Sequence, residues 1–187
     1  MKIVDMVDSQ VIATVKQGSD IDAAINSNAN IVFLLTGNLL NVKEYIAKLK
    51  QGQKKVFLHL DFIDGLRYRK SSIEFIAKKW EPDGIITTKA NVIKHAKEEG
   101  LSTIQRLFLI DKGAIENGIK MIENCKPDAV EVLPGLMPSV IDMLTQKIKQ
   151  PIIVGGLFSK REEIIVALES GALAISASST DLWNLDL

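Results

Sequence analysis

Eight short apolar runs, each followed by a stretch of helical period, constrain this chain more than any other feature of it. The runs occupy residues 11–15, 31–35, 56–60, 84–87, 103–108, 129–133, 152–154 and 173–176 and are rich in Val and Ile. Between them apolar residues recur at helical spacing, as in Val42, Ile46 and Leu49, then Ile73, Ile76 and Ala77, then Ile115, Ile119 and Ile122. A run that stays apolar at every position suits a parallel strand covered by helices, because both of its faces leave water. Ser19, Asp111 and Ser159 stand where helix N-caps are expected, with Asp22 and Glu162 three residues after the two serines. Gly52, Gly100 and Gly171 stand where helices should stop, since glycine can take the left-handed conformation that closes a helix.

A strict strand-then-helix order permits a closed barrel or an open doubly wound sheet. No G-x-G-x-x-G follows the first run, and the glycine pair Gly155-Gly156 comes only after the seventh. The predicted fold is therefore an α/β protein, a compact TIM-type (β/α)8-like barrel of parallel strands. At 187 residues the chain is shorter than the ~200 usual for such barrels, so its helices and loops must be minimal. Only residues 178–187 follow the eighth run, which predicts a truncated last helix. No linker or low-complexity tract divides the sequence, and residues 1–187 are expected to form one domain.

Composition narrows the function classes. No apolar run approaches the ~20 residues of a membrane span, and Asp5 and Asp8 break any signal-like N-terminus. With a single Cys125 and no intrachain disulfide, a cytoplasmic protein is expected. The 23 Lys plus Arg balance 23 Asp plus Glu, so any nucleic-acid contact must be a local patch.

In parallel barrels ligands bind at the carboxyl ends of the strands. Gly155 and Gly156 after the seventh run, with Ala177, Ser178 and Ser179 after the eighth, are placed to offer converging main-chain amides to a phosphate, helped by a following helix start. Polar residues inside apolar runs form a second constellation: His59, Asp61, Gln105, Arg106 and Glu131. Strand alternation puts His59 and Asp61 on one face, and Gln105 and Arg106 cannot share one. Arg106 and Glu131, on neighbouring strands, can pair, as a buried charge requires. No short-spaced His or Cys pair supports a metal site, and there is neither a G-x-S-x-G elbow nor a P-loop. Cys125 is expected to be inert packing, and Lys89 to be a solvated or anion-facing charge rather than a Schiff-base amine. Arg67, Arg69 and Lys70 flank Tyr68 and, with Lys89, form a short basic rim suited to RNA.

These residues lie in segments that together resemble the glycerol-3-phosphate-responsive antiterminator family, the GlpP-like regulators of glycerol uptake operons. The segments are H-L-D-F-I-D-G-L from His59, P-D-G-I-I-T-T from Pro82, I-Q-R-L-F-L-I-D from Ile104, K-P-D-A-V-E-V-L-P-G from Lys126, and V-G-G from Val154. The resemblance implies a barrel that senses glycerol 3-phosphate without a cofactor and, when loaded, binds leader mRNA to prevent early termination. The chain departs from the family pattern at Asp64 and Lys89, where a basic residue and an Arg are common, and this lowers the positive potential of the rim. A homo-oligomer would bring two such rims together. The alternative is a small barrel enzyme, an aldolase, isomerase or phosphodiesterase, using Asp61 or Glu131 as general base.

Overall fold

The computed structural model describes residues 3–187. Its eight strands are β1 (Val11–Val15), β2 (Ile31–Leu34), β3 (Lys55–His59), β4 (Gly84–Thr87), β5 (Ser102–Phe108), β6 (Ala129–Leu133), β7 (Ile152–Gly155) and β8 (Ala174–Ala177). All neighbours are parallel, and β8 pairs with β1, closing a barrel in the order β1 to β8. Each strand begins and ends within about one residue of its apolar run, since burial on both faces is what made the runs visible.

The helices are α1 (Ile21–Asn26), α2 (Val42–Gln51), α3 (Lys70–Phe75), α4 (Ala90–Glu98), α5 (Lys112–Cys125), α6 (Pro138–Lys147) and α7 (Arg161–Glu169). The eighth is reduced to a 3-10 turn, Thr180–Leu182, behind which Trp183 is buried with its indole N–H donated to the Ala177 carbonyl at 2.7 Å. Compactness thus comes from short elements such as α1, which has six residues, although α3 runs on into a π-helical segment, Ile76–Trp80.

Two apolar cores follow from strand alternation. The outer one lies between strands and helices and includes Leu58, Val130, Val132 and Ile175. The inner one fills the lower barrel with Ile12, Phe33, Phe57, Ile86, Ile104 and Ile153. It is closed by Ile3 and Met6 from an N-terminal 3-10 turn that periodicity does not reveal. Phe57 lies so close to Gly84 that a Cβ there would strike its ring.

Asp111 caps α5 as expected, accepting from Ala114 N at 2.7 Å. Ser159 does not cap α7: the cap is Lys160, and Glu163 reaches back to accept from the Ser159 and Lys160 amides at 2.8 and 3.0 Å. Asp20, not Ser19, precedes α1. Gly100 and Gly171 are left-handed, but after α2 that conformation falls on Gln53 instead of Gly52. The Pro-Asp turns share one mechanical role, with Asp83 accepting from the β3 amide of Val56 and Asp128 from the β5 amide of Thr103.

Candidate functional site

Above the inner apolar core the barrel turns polar. The β5–β6 register sets Arg106 beside Glu131, and Arg106 Nε donates to Glu131 Oε2 at 2.6 Å. The other carboxylate oxygen accepts from the Ser176 hydroxyl of β8 at 2.7 Å. Glu131 is wholly buried and Arg106 is 5% exposed, so each charge depends on the other for its solvation. Strand β7 stands between Glu131 and Ser176, and Gly155 leaves the passage open. A Cβ at residue 155 would collide with Ser176 Oγ and come within 3.3 Å of Glu131 Oε1. Gly155 is therefore a clearance beneath the mouth, a different placement from the phosphate contact its sequence position suggests.

Around this polar floor the carboxyl ends of the strands enclose a cavity of about 580 Å³. Gly156, Ala177, Ser178 and Ser179 gather on its wall, with Leu157 and Phe158, while Arg106, Glu131 and Ser176 form the floor. Gly156 and Leu157 both have positive φ, 80° and 66°, a conformation that strains a non-glycine residue such as Leu157 by about 1–3 kcal/mol. The start of α7 does not line this cavity, and Glu163 engages the amides of Ser159 and Lys160 just before it. Lys16 and Thr14 line the cavity from β1 and the residue after it. Lys16 is not among the residues that motif or strand alternation singles out, although it is the first charge beyond the first apolar run.

The remaining candidates separate. Gln105 faces away from the cavity, donating to the Thr87 and Arg106 carbonyls and accepting from the Cys125 thiol at 3.7 Å, so it belongs to the outer layer. Burial pushes the Cys125 thiol pKa up, as inert packing requires. Asp61 sits on the 3-10 turn Leu60–Phe62 and accepts from Thr87 Oγ1, Thr88 N, Thr88 Oγ1 and Lys89 Nζ at 2.8–3.0 Å. Burial alone would raise its pKa, but these four donors, Lys89 foremost, outweigh burial and hold it at about 2. Lys89, expected on the RNA rim, is drawn into this ion pair and lies 4.0 Å over the Tyr68 ring. Burial opposes its charge, yet Asp61 raises its pKa, which leaves it a cation and no Schiff-base nucleophile. Both Asp61 and Glu131 spend their oxygens on fixed donors, an arrangement poorly suited to a general base. Arg67 and Arg69 are exposed, whereas Lys70 pairs with Glu98 at 2.7 Å on the outside of the barrel.

Residues 11–183 match the family model of the glycerol-3-phosphate responsive antiterminator. The chain belongs to that family. It is 33% identical to the glycerol uptake operon antiterminator regulatory protein of Listeria monocytogenes, whose structure superposes with a TM-score of 0.91 over 94% of this chain and 95% of that one. A glycerol uptake operon antiterminator-related protein of Thermotoga maritima is 36% identical, with a TM-score of 0.81 over 92% and 96% of the two chains. The Escherichia coli protein YgcP is 37% identical over 175 residues, 94% of this chain and 92% of its own. Among the described residues no group of three or more His, Cys, Asp or Glu is placed to hold a metal ion, and no helix is long and apolar enough to cross a membrane.

Within this family member His59 is the least ordinary group. It is wholly buried, packs edge-on against Phe62 with ring centroids 4.7 Å apart, and neither ring nitrogen has a hydrogen-bond partner among the described residues. Burial first, and the Arg106 charge second, lower its pKa to about 3. An unfolded His takes up a proton near pH 6.5, so between that pH and about 3 the unfolded chain binds the extra proton and stability falls on acidification. The slope for one such proton is about 1.4 kcal/mol per pH unit. Urea unfolding at pH 7 and pH 5 should show this loss, and His59→Gln should be flatter by that amount; equal slopes would refute the buried neutral imidazole. Asp61 acts in the same direction at lower pH, its contribution disappearing as pH falls from about 4 towards its folded pKa of about 2.

Proposed function

We propose that this chain is a glycerol 3-phosphate sensor that binds the leader mRNA of a glycerol uptake or utilisation operon when ligand-loaded. The observation that carries the proposal is the cavity between the last two strand-to-helix loops and the Arg106–Glu131–Ser176 floor. A phosphate ester fits there with its phosphate against the Gly156, Ser178 and Ser179 main chain, Lys16 adding positive charge from just beyond β1. Its hydroxyls then meet the floor, where the two Arg106 Nη groups make no hydrogen bond among the described residues. Ligand binding would act by population shift, favouring the loop arrangement that RNA also prefers. Zero net charge suits such regulation, since a strongly basic surface would bind phosphodiesters with or without ligand.

Calorimetric titration with glycerol 3-phosphate, glycerol and inorganic phosphate tests the ligand. Glycerol 3-phosphate should bind tightest and raise the melting temperature without being consumed. Gly156→Asp, which sets a carboxylate against the phosphate at a left-handed position, should abolish that stabilisation, and undiminished binding would move the site elsewhere. The RNA surface is tested by reversing Arg67 and Arg69 to Glu. Leader binding should weaken and its salt dependence flatten by about one unit of slope per lost phosphate contact, with ligand affinity intact. Unchanged RNA binding would remove the basic segment from the interface, and turnover of a triose or glycerol phosphate would replace the regulator by an enzyme.

A further inference from the structure

The mouth of the barrel holds a second cavity, of about 240 Å³, on the side of β3 and β4. In a closed ring ordered β1 to β8 these strands stand opposite β7 and β8, where the phosphate is placed above. Phe62, Arg106 and Phe108 line both cavities, so the two are adjoining compartments of one mouth. The inner wall of the smaller compartment is His59, wholly buried with neither ring nitrogen hydrogen-bonded among the described residues. Thr88, Tyr68 and the Asp61–Lys89 pair complete it.

The chemistry of these walls selects a class of ligand group. An uncharged imidazole presents one N–H donor and one lone-pair acceptor on different sides of its ring, and a hydroxyl, which both donates and accepts, can pair with either. A second anion is a poorer match, because Lys89 is already neutralised by Asp61 and Arg106 by Glu131. Length points the same way. Strands ~4.8 Å apart and tilted by ~36° make an eight-stranded ring about 15 Å across. With bonds of about 1.5 Å, an extended three-carbon ester held at β7 and β8 spans roughly half of that and ends near Arg106.

We infer that the compartment walled by His59 is a hydroxyl-reading subsite, and that the mouth as a whole takes open-chain polyol monophosphates longer than three carbons. This rests on the placement of the phosphate at the last two loops. The neutrality of His59, its pKa lowered to about 3 by burial and by Arg106, keeps the acceptor nitrogen free at any physiological pH.

Calorimetry on the full chain with glycerol 3-phosphate, ribitol 5-phosphate and pentyl phosphate tests it. Ribitol 5-phosphate should bind about tenfold tighter than either, and His59→Phe should reduce that advantage to about threefold or less while leaving glycerol 3-phosphate affinity within about threefold. The ¹⁵N resonances of the His59 ring in the unaltered chain should shift on adding ribitol 5-phosphate and stay in place on adding inorganic phosphate. That measurement decides the matter should the variant not fold. Equal affinity for the two polyol esters, a match by pentyl phosphate, or unmoved ring resonances would overturn the subsite and leave the glycerol phosphate sensor standing. Binding of ribitol 5-phosphate without glycerol 3-phosphate would support the subsite and overturn the sensor as proposed. Binding of neither would overturn both.

Discussion

Glu131→Ala should destabilise the protein by about 3–5 kcal/mol, because it strands a buried guanidinium with no anion to solvate it. The geometry leaves little escape: Arg106 is 5% exposed, its Nε points at Glu131 Oε2, and Glu131 itself has no exposed surface. Removing the whole network at once should be much milder. A triple variant with Arg106→Met, Glu131→Leu and Ser176→Ala replaces the charges by apolar volume and should recover most of the loss, since such replacements are often neutral or stabilising. It should also lose all response to glycerol 3-phosphate. Urea unfolding of both variants checks this, and a Glu131→Ala loss below about 1 kcal/mol would mean that water reaches the pair as it does at a protein surface.

Gly155→Ala should cost about 1–3 kcal/mol as an overpacked core position, although it adds a single methyl. The new Cβ strikes Ser176 Oγ and crowds Glu131 Oε1, so it also forces apart the hydrogen bond that holds the carboxylate in place. Ser176→Ala removes the colliding oxygen and should rescue the variant. A double-mutant cycle should therefore show a favourable coupling of about 1 kcal/mol or more. Additive losses would mean that Gly155 is needed for its backbone and not for clearance. The neighbouring Gly156 makes the contrast, because it sits at φ 80° and a Cβ there would meet only the Leu133 side chain, at an ordinary contact distance of 3.5 Å. Its replacement by Ala should cost about 1 kcal/mol through backbone strain and show no coupling to Ser176.

Much of the fold was legible because both faces of every strand are buried, which writes each strand as an unbroken apolar run. The Arg106–Glu131 pair was legible too, since two charges on adjacent buried strands have few other ways to be satisfied. Gln105 and Arg106 show where this stops. Alternation says that one of them faces inward, but only the fold shows that Gln105 meets Cys125 of α5 in the outer layer. Asp61 and Lys89 show another limit, for each closes a different strand-to-helix unit and their 2.8 Å contact depends on how two loops fold over the rim. Ser159 looks like a cap, but α7 starts one residue later, with Lys160 at the cap position, and Glu163 accepts from the Ser159 and Lys160 amides, which a serine cap at 159 would not serve.

From its order of apolar and amphipathic segments alone, the sequence determined eight parallel strands alternating with helices, because hydrophobic period reports directly which faces must leave water, while the late position of its glycine pair favoured a barrel over an open sheet. Tertiary structure alone decided which polar groups meet at the mouth: that Gly155 makes room for Glu131 and Ser176, that Lys16 joins the cavity, and that neither His59 ring nitrogen has a hydrogen-bond partner among the described residues. Those facts depend on register and ring closure between residues far apart in the chain, and no local pattern carries that information.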